Sequence, residues 1–232
     1  MWIETDTNDV RLCPVFVFFI GFFHPRHAIY STSQKEEEKM RNKRVLLLVE
    51  IAIFAALGFV LDFVAFKMPQ GGSVSLVMIP IVLIAFRRGV IAGMLTGLLV
   101  GLLQIVSGLI SVAPLSFSFV VMQVILDYLV AYAVVGFAGV MRKQYFSENS
   151  KTKMRLITVI VTAVFIGSFL RYIVHVITGI FFFGMYAEEG QNLLIYSGVY
   201  NATYMIPVFL LTAVVTSLLF LTAPRLLNPE KS

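Results

Sequence analysis

The sequence predicts an all-α integral membrane protein of six transmembrane helices with both termini cytoplasmic. Two observations carry the fold class. Of the 232 residues, 59% are hydrophobic and only 13% are charged, and the mean hydropathy is +0.89. A soluble domain of this length needs far more polar surface to cover its core. A third observation, that the charges gather in short clusters between long apolar runs, sets the orientation. A hydrocarbon slab of about 30 Å takes roughly 20 apolar residues per helix. The chain therefore has room for the helices but none for a soluble catalytic or ATPase domain.

Six apolar runs follow Val45 and give helices at about 44–66, 74–87, 89–110, 115–141, 155–183 and 197–222. The second is short and must lean on its neighbours. Breakers fit this division: Pro69-Gln70-Gly71-Gly72 separates the first two helices, Pro114 opens the fourth, and Gly190-Gln191-Asn192 parts the last two. Arg41, Lys43 and Arg44 precede the first helix, Arg87 and Arg88 lie between the second and third, and Arg142, Lys143, Lys151, Lys153 and Arg155 between the fourth and fifth. Arg225 and Lys231 follow the last. All of these fall on one side, whereas the other carries Lys67, an uncharged turn near Ser111 and the acidic pair Glu188-Glu189. The positive-inside rule then puts both termini in the cytoplasm of a multi-pass protein of the cell membrane.

Residues 1–39 differ in character from the rest. Val15 to Phe23 is too short to span, and the acids Glu4, Asp6 and Asp9 stand where a signal peptide needs positive charge. The run Lys35-Glu36-Glu37-Glu38-Lys39 before Met40 is encoded by purine-rich codons, as a ribosome-binding site translated in frame would be. The expected division is a non-native or disordered extension over 1–39 and a six-helix membrane domain over 40–232.

A net charge of +5 and a pI near 9.4 do not indicate nucleic acid, because the cations are loop clusters rather than one patch. Cys13 is the only cysteine, so there is no internal disulfide, and no Cys/His spacing suits a metal. The chain has no HExxH, no P-loop and no serine with a base beside it. It is not expected to be an enzyme or to carry a cofactor.

Gly89, Gly93, Gly97 and Gly101 recur every four residues and form a row that lets another helix approach closely, first of all within the bundle. Ala52 and Ala56 repeat the pattern on the first helix, beside Ala55 and Gly58, as a face for packing or for a partner subunit. Ionisable groups inside a bilayer cost roughly 2.5 to 3.5 kcal/mol each on insertion scales, so each needs a partner or a purpose. Glu50 and Asp62 lie near the ends of the first helix and are expected to reach the interface. Asp127 is central in the fourth helix, and Arg171 and His175 are one turn apart on the fifth, with Thr178 and Gly179 continuing their face. Two readings stay open: an Asp127–Arg171 ion pair that orders the bundle, or a pocket wall in which Gly179 leaves a gap. Tyr196, Tyr200 and Asn201 open the sixth helix after Phe181-Phe182-Phe183. Aromatic faces with a carboxylate suit a flat cationic ligand in a site opening outward.

The segments Met68-Pro-Gln-Gly-Gly-Ser-Val-Ser, Leu126-Asp-Tyr-Leu-Val-Ala, Leu170-Arg-Tyr-Ile-Val-His and Tyr196-Ser-Gly-Val-Tyr-Asn-Ala-Thr-Tyr, taken in order, resemble the thiamine-specific S component of energy-coupling factor (ECF) transporters. That family is also described as proton-coupled thiamine transporters. The likeness runs from about Met40 to the C-terminus. It implies a six-helix protein that binds thiamine near its outer face and works with a transmembrane T component and two ABC-type ATPases. It implies docking of the T component at Ala52 and Ala56, and a thiamine site of Asp127, Tyr128, Arg171, His175, Gly179, Phe183, Tyr196 and Asn201. Asp127 would hold the cationic thiazolium or accept from the aminopyrimidine amine, His175 and Asn201 would hydrogen-bond, and Tyr128, Phe183 and Tyr196 would give ring faces. Some members have glutamate at Asp127, lysine at Arg171, and tryptophan at Phe183, Glu188 and Gly71. The alternatives are an S component for another vitamin or a thiamine precursor, a solitary proton-coupled carrier, and a purely structural membrane subunit.

Overall fold

A computed structural model describes residues 14–68, 71–147 and 152–227, with side chains from residue 37 onward. Glu4, Asp6, Asp9, Pro69, Gln70, Lys151 and Lys231 lie outside the described residues. The chain divides into two units, Met1–Leu46 and Leu47–Ser232. In the first, the described side chains of residues 37–46 are all exposed. Apart from the start of the first helix, everything below concerns the second unit.

Helix α1 (Pro14–Asp62) is followed by a two-stranded antiparallel ribbon of β1 (Phe66–Lys67) and β2 (Ser73–Val74), and then by α2 (Met78–Arg88) and α3 (Val90–Val106). The bundle is completed by α4 (Phe117–Tyr145), α5 (Lys153–Phe182) and α6 (Leu193–Thr222). The six expected helices are all present. Among the described residues, four are long and apolar enough to cross a membrane, counting the Glu37–Asp62 part of α1. The ends differ from expectation in the first turn region: α1 stops at Asp62 rather than near 66, and α2 starts at Met78 rather than near 74. Residues 66–67 and 73–74 pair as strands instead, with Gly71 and Gly72 between them at φ of 95° and 83°. Those backbone angles favour glycine and turn the ribbon tightly. At the other ends, α3 finishes at Val106 rather than 110, and α6 begins at Leu193 because Asn192 caps it, accepting from the Leu194 and Ile195 amides.

Helix α2 has 11 residues, of which Met78 to Arg87 are buried. At 1.5 Å per residue it is roughly 16 Å long, half a bilayer. It is the central post of the core: Val77, Met78, Ile81, Val82 and Phe86 pack with Val135, Ala138, Ile160, Ala163 and Val208 from α4, α5 and α6. The rings of Phe86, Tyr145 and Phe220 meet edge-on at 5.0 to 5.8 Å. Leu48, Ile53, Val60, Leu210, Val214 and Leu218 are exposed on outer helix faces, as lipid contact requires.

The glycine row of α3 packs inside the bundle. A Cβ on Gly97 or Gly101 would collide with the carbonyl groups of Tyr132 or Tyr128, and one on Gly93 would run into Ala85 and Gly136. Gly89 is the exception, forming the α2–α3 joint at φ 100°. The backbone that these glycines admit is irregular: within α4, Ile125–Val130 is π-helical and Val134–Met141 is 3₁₀. Such segments re-aim side chains and occur often at functional sites.

Glu50 does not reach the interface. It is 9% exposed and accepts from Arg87 Nη2 at 2.8 Å and from Arg88 Nε at 2.5 Å. Arg87 also donates to the Leu226 carbonyl at 2.9 Å, and Arg142 to that of Phe86 at 2.8 Å. This ionic knot gathers one end of the bundle.

Candidate functional site

Helix α4 enters the π segment at Ile125, and there Asp127 turns toward α5 while the Tyr128 hydroxyl meets Ser111. Asp127 Oδ1 accepts from the Thr178 hydroxyl at 2.5 Å and lies 3.1 Å from His175 Nδ1. His175 Nε2 in turn accepts from Arg171 Nε at 3.2 Å. The Arg171 guanidinium sits 4.2 Å from the centre of the Tyr132 ring, a cation–π arrangement. Of the two readings left open by the sequence, the direct Asp127–Arg171 ion pair is not formed among the described residues. His175 stands between the two charges because α5 places Arg171 a full turn further along.

Gly179 acts differently from the sequence reading of an open gap. A Cβ there would strike Ser197, so the missing side chain is what lets α6 close onto α5. Ser197 donates to the Val176 carbonyl at 2.8 Å, and Asn201 Nδ2 donates to the carbonyls of Ser197 at 2.9 Å and His175 at 3.2 Å. Asn201 Oδ1 accepts from the Tyr204 hydroxyl. The Asn201 amide thus joins the two helices.

Two loops lie against this framework. The Tyr128 hydroxyl accepts from the Ser111 amide at 2.6 Å, and Gln123 binds Ser111 and Ala113 from the same helix. Tyr200 donates to the Gly71 carbonyl at 2.9 Å, tying the β1–β2 turn to α6. Tyr196 stacks on Tyr200 with ring centres 6.2 Å apart, and Phe183 on Tyr186 at 6.3 Å.

Between these groups is a cavity that opens to the surface. Asp127, Tyr128, Arg171, His175, Gly179, Phe183, Tyr196 and Asn201 all line it. The eight residues singled out from sequence are thus brought together. Ala52 and Ala56 lie elsewhere: they are exposed on α1, while Ala55 and Gly58 are buried against the bundle.

Residues 48–228 match the family described as thiamine transporter protein (Thia_YuaJ). The chain belongs to this family. Among curated relatives, the thiamine transporter ThiT of Bacillus subtilis (strain 168) is 50% identical over 200 residues, covering 83% of this chain and 99% of that one. ThiT of Lacticaseibacillus paracasei is 30% identical over 196 residues, covering 80% and 92%. A solved structure of ThiT from Listeria monocytogenes superposes with a TM-score of 0.72 at 34% identity, covering 81% of this chain and all of that one. The all-helical membrane fold of the thiamine transporter family and its transport role, as opposed to an enzymatic one, follow for this member.

Sequence reasoning missed part of the lining. Gln104, Tyr132, Ser197 and Tyr204 also face the cavity, as does Asp62, which was expected at the interface but is 5% exposed. A signal for two of them was present. Gln104 continues the row Gly97, Gly101 at helical spacing, and Asp62 continues Ala55, Gly58. Both rows prove to be inward faces.

Proposed function

We propose that this chain captures thiamine outside the cell and serves as the substrate-binding subunit of an ECF-type transporter, docking through Ala52 and Ala56 on a T component driven by two ABC-type ATPases. The observation that carries the reading is the convergence of eight residues, matched to the family's motifs, on one cavity. The ligand chemistry agrees. Asp127 keeps Oδ2 for the cationic ring or the amine while Oδ1 is held by Thr178 and His175. Tyr128, Phe183 and Tyr196 present ring faces, and the network through Arg171 and Asn201 holds His175 in place.

Orientation supports capture from outside. The basic clusters around Arg87, Arg88, Arg142 and Arg225 sit at the helix ends joined by the Glu50 knot. The cavity is built from the opposite ends: the C-terminal end of α3, the first half of α4, the last turns of α5 and the start of α6. By the positive-inside rule the basic end faces the cytoplasm and the cavity faces out.

The test is competition binding to the purified full chain with thiamine, its pyrimidine moiety and riboflavin. Thiamine binding that riboflavin does not displace is expected, and preference for another vitamin would overturn the reading. Uptake that survives loss of the ATPase module would instead favour a solitary proton-coupled carrier.

A further inference from the structure

The two buried carboxylates of the cavity are not equivalent. Asp127 Oδ1 is doubly hydrogen-bonded. Asp62, the last residue of α1, is 5% exposed, lines the same cavity, and its Oδ1 has no hydrogen-bond partner. Gln104 on α3 is 1% exposed. It gives Nε2 to the Tyr132 hydroxyl at 3.0 Å and leaves Oε1 without a partner. A buried acceptor left unmade costs its full desolvation. Ser75 and Gln104 lie within hydrogen-bonding reach of the Asp62 carboxylate and Arg171 lies near it, yet Asp62 Oδ1 and Gln104 Oε1 remain two acceptors in one cavity that a ligand donor could meet. The charge balance agrees: the buried ionic groups of the lining are two carboxylates and one guanidinium, with Lys67 exposed to solvent.

Resting on the thiamine reading above, we propose that Asp62 and Gln104 form a second acceptor subsite that takes the hydroxyl O–H of the ligand's hydroxyethyl arm and so selects thiamine over its phosphate esters. Thiamine offers hard donors at two places, the aminopyrimidine N–H₂ and this hydroxyl. Asp127, on α4, serves one end and Asp62, on α1, the other. Esterifying the hydroxyl removes the donor and sets a phosphate anion beside the buried Asp62 carboxylate. Repulsion then replaces a charge-assisted hydrogen bond.

The experiment is calorimetric binding by the full chain in detergent. The ligands are thiamine, an analogue with ethyl in place of hydroxyethyl, and thiamine monophosphate, each against wild type and Asp62→Asn. Losing the hydroxyl is expected to weaken wild-type binding by about 10- to 100-fold, and binding by Asp62→Asn by less than about threefold. Discrimination against the monophosphate is expected to fall about tenfold in the variant. Equal losses of the hydroxyl in both proteins would overturn the assignment. So would wild type binding the ethyl analogue as tightly as thiamine, a measurement that needs no variant and decides the matter even if Asp62→Asn does not fold. Absence of any thiamine binding by folded wild type would instead overturn the thiamine reading itself, and this assignment with it.

Discussion

His175 Nδ1 lies 3.1 Å from Asp127 Oδ1, so the imidazole of α5 and the carboxylate of α4 form one unit across the cavity wall. The pair is side-chain buried at 11% and 10% exposure. His175 and Thr178 together fix one oxygen of the carboxylate.

Replacing Asp127 by asparagine keeps the shape and removes the charge. A charge-assisted hydrogen bond is worth about 1.5 to 3 kcal/mol, so thiamine affinity of Asp127→Asn should fall about 10- to 100-fold. Titration of the detergent-purified variant checks this, and unchanged affinity would remove Asp127 from the site.

The tie between Tyr200 and the Gly71 carbonyl at 2.9 Å holds the β1–β2 turn against α6. Tyr200→Phe keeps the ring that stacks on Tyr196 and loses the donor. One neutral hydrogen bond contributes about 0.5 to 1.5 kcal/mol. Affinity should drop about 2- to 10-fold, with the change in the dissociation rate, which stopped-flow fluorescence would resolve. An unchanged dissociation rate would mean that this turn does not retain the ligand.

Gly101 admits the Tyr128 carbonyl of the π segment, where a Cβ would collide with it. Gly101→Val therefore has to push α4 away from α3. Overpacking of this kind costs about 1 to 3 kcal/mol, and here it also displaces Asp127 and Tyr128. Melting in detergent should shift downward and thiamine affinity should fall together. A variant that melts lower yet binds normally would separate the glycine row from the site.

The extent to which the chain could be read in advance follows from what lipid makes expensive. Long apolar runs must be helices because no other open structure satisfies its backbone in a bilayer, so all six were visible. The β1–β2 ribbon was not, since two-residue strands carry no periodicity. Nor was the π segment, because Leu126-Asp127-Tyr128 reads as ordinary helix until the close approach of Gly97 and Gly101 is known. In the site, Asp127, Arg171 and His175 stood out as polar groups deep in apolar helices. Asp62 and Gln104 did not, because polar groups near helix ends have an ordinary interfacial explanation, and only packing shows that they turn inward. Glu50 was misplaced for the same reason.

Glu50 holds two arginines at the end of the bundle remote from the cavity. Removing one partner of a buried ionic cluster costs about 3 to 5 kcal/mol, because the remaining charges stay buried. Glu50→Gln should lower the melting temperature markedly. Thiamine affinity of the protein that remains folded should be unchanged. A shift in affinity as large as that of Asp127→Asn would show the two ends to be coupled.

The proposed docking role of Ala52 and Ala56 can be tested apart from ligand capture. They are one turn apart on α1 and exposed, whereas Ala55 at 1% exposure and Gly58 face the core. A bulky residue at Ala52 or Ala56 therefore meets lipid rather than the bundle and should leave folding and binding intact, while Gly58→Leu would strike Val100. Close helix approach needs small residues on both partners, so Ala52→Trp and Ala56→Trp should bind thiamine like wild type. They should fail to co-purify with the T component and its ATPases, and uptake by cells should fall about tenfold or more. Normal uptake by both variants would place the docking face elsewhere. Loss of thiamine binding would mean that this face supports the fold instead.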